Sequence, residues 1–219
     1  MKRAFLDLDG TLLNSKERHC NVLRDVLIQY GFGNRQVLDF VEYKANGKNT
    51  RQYLEDVHGF SKDIADKIST AWINSIEEEK YLCQDKWYED AAVFVDFLKN
   101  RGYECFIITA RKNDEYVTKF VKESYVGDSV QIIAVSTRNA VSNKISVIKK
   151  LLVDDNIMVG DTEVDYETGK TLKIRTYPLN RGFRSKNFWM AREIQSYDDL
   201  MSVQTVSYTH LTLPTILRV

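Results

Sequence analysis

The chain has 219 residues, 43% of them hydrophobic and 28% charged, which is typical of a globular protein with one full core and room for a modest insertion. Basic and acidic residues number 31 each, so no overall field attracts a nucleic-acid polymer or an anionic membrane. The three cysteines lack the spacing of a zinc or redox motif, and the apolar runs are too short to span a bilayer. We expect a cytoplasmic protein that captures any anionic ligand locally.

The first predicted element is a short β-strand over residues 3–8, whose end carries Asp7 and Asp9. Residues 15–86 then have a helical pattern, in which Ser61 and Thr50 are predicted N-caps. After residue 86, helices and strands alternate, which demands right-handed crossovers and a parallel sheet. The predicted helices span 89–100, 114–122, 144–152 and a segment starting near 162, and the predicted strands span 104–109, 130–135, 157–160 and 173–177.

The predicted fold is therefore an α/β doubly wound parallel sheet, Rossmann-like, with a small all-helical cap domain inserted after the first strand. The α/β catalytic core is predicted to comprise residues 1–14 and 87–205, and the cap to comprise residues 15–86. The pattern places the cap over the carboxyl edge of the sheet.

Residues 206–219 differ in composition from the rest of the chain and lack helical periodicity. Residues 206–211 resemble one reading frame of a transposon end used to prepare sequencing libraries. We therefore expect an adapter-derived tail in place of the natural C-terminus, and a foreign tail should pack poorly. An ordinary terminal strand is the alternative.

Six polar side chains fall at, or just beyond, the carboxyl ends of predicted strands. In an open parallel sheet these ends converge on one crevice, so residues far apart in sequence can act on a single ligand. The six are Asp7, Asp9, Thr109, Lys144, Asp161 and Asp165.

Asp7 and Asp9 flank one residue, so strand alternation sends both carboxylates to the same side of the chain. Two like charges so close need a hard cation, and Mg²⁺ binds one or two carboxylates together with waters and a phosphate oxygen. Asp161 can supply a further carboxylate. One carboxylate can then attack phosphorus while another carries a proton for the leaving oxygen.

Four motifs occur in order along the chain: DLDGT at residues 7–11, IIT at 107–109, Lys144, and GDTEVD at 160–165. Together they resemble the motifs of the haloacid dehalogenase superfamily, and the resemblance covers about residues 3–180. It implies that Asp7 becomes a phosphoaspartate and that Asp9 protonates the leaving group and then activates water. By the same resemblance Asp7, Asp161 and the Asp9 backbone carbonyl bind Mg²⁺.

The resemblance also implies roles for the remaining motif residues. Thr109 and the Ala110 amide would hold the phosphoryl oxygens, and Lys144 would neutralise charge on the phosphoryl group and on Asp7. Asp165 would orient Lys144 or a metal-bound water.

A helical cap between the first two motifs resembles the phosphoglycolate phosphatase-like branch, whose members act mostly on small phosphate esters. Lys44, Lys48 and Arg51 surround Gly47 in a break between helices, where a loop could reach the leaving group. We therefore expect Lys48 and Arg51 to bind substrate, although a solvated helix face is the plainer interpretation. The expected partner is a small phosphorylated metabolite, and oligomeric state is not encoded in any motif.

Each motif also has a structural interpretation. DLDGT could be a turn with two solvated acids, Lys144 an exposed residue in the first turn of a helix, and GDTEVD an N-cap with first-turn acids. The loop at 180–186 is interpreted as surface, and catalysis by His19 or the other histidines is not expected, because they lie outside the motifs.

Several functions remain open. A phosphomutase would use the same nucleophile, and a metal-independent 2-haloacid dehalogenase would need neither Asp9 nor Asp161. A phosphonate hydrolase would need a cap lysine that forms an imine, for which Lys44 and Lys48 are equal candidates. A catalytically silent binding protein on the same fold is the alternative outside the enzymes.

Overall fold

The computed structural model describes the backbone of residues 1–112 and 114–212 and the side chains up to residue 206. A five-stranded sheet, in the order β5-β4-β1-β6-β7 and parallel throughout, forms its centre. The strands are β1 (Lys2–Leu6), β4 (Tyr103–Ala110), β5 (Val130–Val135), β6 (Asp155–Gly160) and β7 (Arg175–Pro178). The predicted parallel α/β fold is confirmed.

Helices that follow β3 (Lys86–Trp87) cover both faces of this sheet. They are α6 (Asp90–Asn100), α7 (Asp114–Lys122), α8 (Ala140–Lys149), α9 (Glu163–Leu172), α10 (Lys186–Met190) and α11 (Leu200–Thr212). Strand alternation separates the two layers, because Ala4 and Leu6 belong to one buried cluster and Phe5 to another. Both clusters leave the carboxyl ends of the strands open to a crevice.

Five helices lie between β2 (Leu13–Asn14) and β3. They are α1 (Lys16–Gln29), α2 (Phe40–Ala45), α3 (Thr50–Asp56), α4 (Lys62–Ser75) and α5 (Glu79–Leu82), and we call the stretch that holds them, residues 15–85, the helical segment. The segment has its own buried cluster, drawn from residues 22–81. At its base β2 pairs antiparallel with β3, which sets Leu13 opposite Trp87.

The structure differs from the sequence-based expectation at several element ends. Asn49, rather than Thr50, caps α3, because its side chain accepts the Gln52 amide in a reciprocal capping box. Helix α8 begins at Ala140, so Lys144 lies in its second turn, where it is buried rather than exposed. The short β2–β3 pair was not predicted.

Helix α11 also differs from the expectation. Leu200 and Val203 are buried in the core, and Val206 packs against the same cluster. Residues 206–212 continue α11, although their sequence lacks helical periodicity and the alternative interpretation was a terminal strand. The suspected foreign origin of the tail stays a prediction, and residues 213–219 lie outside the described residues.

Candidate active site

A cavity of about 270 Å³ opens at the carboxyl ends of the strands, between the sheet and the helical segment. The sheet side contributes catalytic candidates from the ends of β1 and β4 and from α8. The helical segment contributes a basic, aromatic and apolar wall. The lining includes Asp7, Asp9, Thr109, Ala110, Arg111, Lys144, Thr162 and Phe183 on the sheet side, and Arg18, His19, Trp72, Ile76 and Glu77 on the other.

Asp7 follows β1 directly and is buried at the floor of this cavity. Its Oδ1 accepts a hydrogen bond of 2.5 Å from the Lys144 Nζ, which also donates to the Asp165 Oδ1 at 2.6 Å. Asp165 holds that position through its other oxygen, which accepts from the Thr162 amide and hydroxyl. Lys144 is thus fixed between two carboxylates, one of them the predicted nucleophile.

The ionisation of this group follows from its burial. Burial, followed by the negative charge of Asp165, raises the pKa of Asp7 to about 7, although Lys144 opposes the change. Burial lowers the pKa of Lys144, but the charges of Asp165 and Asp7 outweigh it and raise the pKa above its ordinary value. Lys144 therefore stays protonated and supplies the positive charge beside Asp7.

Asp161 follows β6 and is fully buried. Its Oδ2 accepts a hydrogen bond of 2.5 Å from the Phe183 amide, whereas its Oδ1 has no hydrogen-bond partner. Two glycines make room for it, since a Cβ on Gly10 or Gly182 would come within 2.2 Å or 2.0 Å of the Oδ2 atom. Burial, with Asp7 and Asp165 nearby, raises the pKa of Asp161 well above its ordinary value.

These carboxylates fit a divalent cation. Oxygens of Asp7, Asp161 and Asp165 lie within 4.8 Å of one another, and an orphaned buried oxygen such as the Asp161 Oδ1 needs a partner. Both oxygens of Asp165 are already bonded to Lys144 and Thr162, which leaves Asp7 and Asp161 as side-chain ligands. An all-oxygen donor set of this kind suits Mg²⁺.

Asp9 lies in a different electrostatic environment from Asp7. Its carboxylate accepts from the Arg111 Nε at 2.7 Å, from the Arg111 Nη2 at 2.6 Å and from the Arg18 Nη2 at 2.6 Å. Burial raises the pKa of Asp9, but the Arg111 and Arg18 guanidinium groups outweigh it and hold that pKa well below its usual range. Asp9 is therefore a carboxylate in this arrangement.

The same two arginines also bind Asp85, which completes an array that we call the charge square (Arg18, Asp85, Arg111 and Asp9). The Arg18 Nε donates to Asp85 at 2.9 Å, and the Arg111 Nη2 donates to it at 2.8 Å. Arg18 and Asp85 come from the helical segment, whereas Arg111 and Asp9 follow strands of the sheet. The sequence interpretation missed Arg18, Asp85 and Arg111, although Arg111 directly follows Thr109 and Ala110.

The remaining predicted residues divide into two groups. Thr109, at the end of β4, and Ala110 both line the cavity. Lys48 and Arg51 do not: Lys48 is exposed, and Arg51 pairs with Glu55 and Asp66 on the helical segment. Their predicted contact with substrate has no geometric support.

The loop at 180–186, interpreted as surface from the sequence, is part of the site. Arg181 donates to the Thr11 carbonyl at 2.6 Å, and Phe183 carries the amide that binds Asp161. Phe183 also stacks on His19, with ring centroids 4.3 Å apart. In the sequence, Gly182 was the available signal that this loop makes a close contact, and in the structure it packs against Asp161.

Lys44 has unusual surroundings. Its Nζ lies 4.2 Å from the Trp72 ring centroid and 3.3 Å from the His19 Nδ1, and within 6 Å of the Phe40 and Phe183 rings. Burial, followed by the positive charges of nearby arginines, lowers the pKa of Lys44 to about 7. A substantial fraction of this amine is therefore neutral near pH 7.

Asp7, Lys144 and the buried acidic pair lie together at the carboxyl edge of a parallel α/β sheet, which is where the four motifs predict the active site of a hydrolase. The family model for haloacid dehalogenase-like hydrolases matches residues 4–178, so the chain belongs to this family. The family predicted from the four motifs is thus confirmed. No curated protein matches the sequence.

Solved structures share the fold. A candidate phosphoglycolate phosphatase from Lactobacillus delbrueckii subsp. bulgaricus is 17% identical, with a TM-score of 0.72 over 93% of this chain and 97% of its own. A predicted phosphatase from Clostridium acetobutylicum is 18% identical, with a TM-score of 0.68 over 97% and 99%. A haloacid dehalogenase-like hydrolase from Streptococcus pneumoniae is 16% identical, with a TM-score of 0.71 over 94% and 97%. Among the described residues, no helix is long and apolar enough to cross a membrane.

Proposed function

We propose that this protein is a magnesium-dependent phosphatase that hydrolyses a small phosphorylated metabolite through a phosphoaspartate on Asp7. One observation carries the proposal: Asp7 lies at the floor of the cavity, bonded to Lys144 and close to Asp161, whose Oδ1 has no hydrogen-bond partner. This arrangement joins a nucleophile, a fixed positive charge and a cation-binding carboxylate at one point. A phosphoryl group needs all three.

In the first step an oxygen of Asp7 attacks phosphorus, and the bond from phosphorus to the leaving oxygen breaks. Lys144 neutralises the charge that builds up on the phosphoryl oxygens, while Thr109 and the Ala110 amide hold those oxygens from the β4 side. Asp9 carries the proton for the leaving oxygen: substrate must draw the guanidinium groups away from it, which raises its pKa, and Asp9 then takes a proton from solvent and gives it to the leaving oxygen.

In the second step water attacks the phosphoaspartate, and the bond between phosphorus and the Asp7 oxygen breaks. Asp9 accepts the proton of that water, a role for which a carboxylate held by Arg18 and Arg111 is already ionised. The products are inorganic phosphate and a free Asp7 carboxylate.

Asp7, Asp161 and the Asp9 backbone carbonyl are the proposed ligands of Mg²⁺. When bound, the ion neutralises phosphoryl charge and reduces repulsion between the nucleophile and its substrate. The helical segment acts as a cap in this proposal, because its Arg18, His19 and Trp72 form the wall opposite the sheet and exclude bulk water.

The size of the cavity favours a small leaving group over a polymer. A dehalogenase would need neither the proton carrier Asp9 nor the acidic cluster around Asp161, so both features favour phosphoryl transfer. A phosphomutase uses the same residues, and only the fate of the phosphoryl group separates it from a phosphatase.

The test is phosphate release from p-nitrophenyl phosphate and a panel of small phosphate esters, with Mg²⁺ and with chelator. We expect metal-dependent release that Asp7→Asn lacks, and Asp9→Asn should be slowest on esters with alkoxide leaving groups. Folded wild-type protein that releases no phosphate from any ester would contradict the proposal. Transfer to a second sugar hydroxyl in place of water would identify a mutase.

A second candidate function, hydrolysis of a carbon–phosphorus bond, is favoured by Lys44. The aromatic rings around its Nζ and its lowered pKa distinguish it from Lys48, which is exposed. A neutral amine can form an imine with a substrate carbonyl, releasing water. Reduction with borohydride in the presence of a phosphorylated aldehyde should then link substrate to Lys44, and Lys44→Met should not be labelled.

A further inference from the structure

The charge square contains four buried or partly buried ion pairs, two of which join the helical segment to the sheet. Within the segment, Arg18 binds Asp85, and on the sheet side Arg111 binds Asp9. Two further contacts cross the boundary: Arg18 to Asp9 at 2.6 Å and Arg111 to Asp85 at 2.8 Å. Each side therefore contains one positive and one negative charge.

The pairing of charges within each side determines which contacts break when the helical segment moves away from the sheet. A buried charge that loses its only partner is strongly unfavourable, whereas a pair that separates intact leaves no charge uncompensated. If the helical segment rotates away from the sheet about the β2–β3 pair, Arg18 stays bonded to Asp85 and Arg111 stays bonded to Asp9. The two ion pairs that cross the boundary, Arg18 to Asp9 and Arg111 to Asp85, then break.

We propose that Arg18 is a positioning residue, delivered with Asp85 by closure of the helical segment, which holds Asp9 for the attack of water on the phosphoaspartate. The inference rests on the proposed function, because it acts through Asp9 in the second step. On closure Arg18 adds a third guanidinium hydrogen bond to Asp9, so the carboxylate is held by donors from two elements. A carboxylate fixed in this way presents one orientation to the water proton.

Two backbone amides report closure without any substrate. The Lys112 amide, next to the charge square, donates to the Glu77 carboxylate at 2.7 Å, and the Ser185 amide donates to the Ala45 carbonyl at 2.8 Å. Both bonds run from the sheet side to the helical segment. The Phe188 amide donates to the Ser185 hydroxyl within the sheet side, so it serves as an internal reference.

The test is the double variant Arg18→Gln/Asp85→Asn, which removes both charges of the segment together and leaves the Arg111–Asp9 pair intact. The matched control is Glu78→Gln/Lys80→Gln, which removes an exposed ion pair from the same segment. Hydrogen exchange is measured by NMR on the full chain without substrate. Turnover and the acid-quenched level of phosphoenzyme are measured with p-nitrophenyl phosphate and Mg²⁺.

We expect the double variant to exchange the Lys112 and Ser185 amides at least about tenfold faster, with Phe188 unchanged. Its kcat should fall by about tenfold or more and its KM should fall in parallel, so that kcat/KM is unchanged, and phosphoenzyme should accumulate because only the second step is slowed. The control should match wild type in all three measurements.

Wild-type exchange rates in the double variant would overturn the inference, and so would a fall in kcat without accumulation of phosphoenzyme. The second result would assign the charge square a structural role alone. Failure of the proposed function is a separate outcome: wild-type protein would then form no phosphoenzyme, while the amide exchange would still show whether the charge square closes the segment.

Discussion

Asp161 is fully buried beside two other carboxylates, and one of its oxygens has no hydrogen-bond partner. Such a residue destabilises the metal-free protein, because its charge is removed from water and lies beside two other carboxylates, with only a backbone amide to stabilise it. It becomes favourable only when a cation arrives. Stability therefore reports on the metal site independently of catalysis.

We expect Mg²⁺ to raise the free energy of unfolding of the wild type by about 2.7 kcal/mol at a hundredfold excess over its Kd. Asp161→Asn should lose this increment yet be more stable than wild type in chelator, by on the order of 1 kcal/mol, since one buried charge is removed. Thermal unfolding with Mg²⁺ and with chelator measures both effects. Equal stabilisation of the two proteins by Mg²⁺ would exclude Asp161 as a ligand.

Lys44 gives a prediction about pH. Its pKa is about 7 in the folded protein and near 10.5 in the unfolded chain, so between these values the unfolded chain binds more protons. The contribution of Lys44 to stability therefore rises with pH from 7 to 10, by up to about 1.4 kcal/mol per pH unit. Urea unfolding of wild type and Lys44→Met across this range measures the effect. The free energy of unfolding of wild type, relative to that of Lys44→Met, should rise as the pH increases. Parallel curves would show an ordinary lysine.

At the scale of elements, the loop after β7 holds the Asp161 carboxylate in place. A Cβ on Gly182 would lie 2.0 Å from the Asp161 Oδ2 and 2.7 Å from the Gly10 carbonyl oxygen, whereas the φ of Gly182 is not positive and adds no strain of its own. Gly182→Ala should fold but displace Asp161, lowering turnover on the order of a hundredfold and weakening Mg²⁺ binding. Gly33→Ala, whose Cβ would meet only the Ile28 side chain and backbone, is the matched control. Activity and Mg²⁺ titration of both variants check this.

Sequence patterns predicted the elements whose signals are local. Alternation and length placed α7 and β5 at their observed bounds, and the four motifs placed Asp7, Thr109 and Lys144 around one cavity, with Asp161 close to Asp7. The charge square was not predictable, because Arg18 and Asp85 are ordinary charged residues in sequence and become significant only through packing over a distance of 67 positions. Likewise, the basic loop at 180–186 carries no sequence pattern that distinguishes a loop in the site from a loop on the surface.

At the scale of the whole molecule, helix α11 contributes Leu200, Val203 and Val206 to the main core. We expect removal of residues 207–219 to leave the free energy of unfolding unchanged within about 0.5 kcal/mol and turnover unchanged, since the shortened chain keeps Leu200, Val203 and Val206. Denaturant unfolding and phosphate release of the shortened chain check it. A large loss of stability would show that the tail belongs to the fold.

The position of the helical segment also bears on how the chain folds. β1 is the central strand, yet its partners β4 and β6 lie about a hundred residues or more further along, so a large loop must close before the sheet can form. The segment's own cluster lies within residues 22–81, and its formation brings Leu13 opposite Trp87. The loop that remains between β1 and β4 is then short. Folding of the helical segment therefore shortens the loop that must close before β1 pairs with β4. In the growing chain, the segment can begin to fold before β4 has been synthesised.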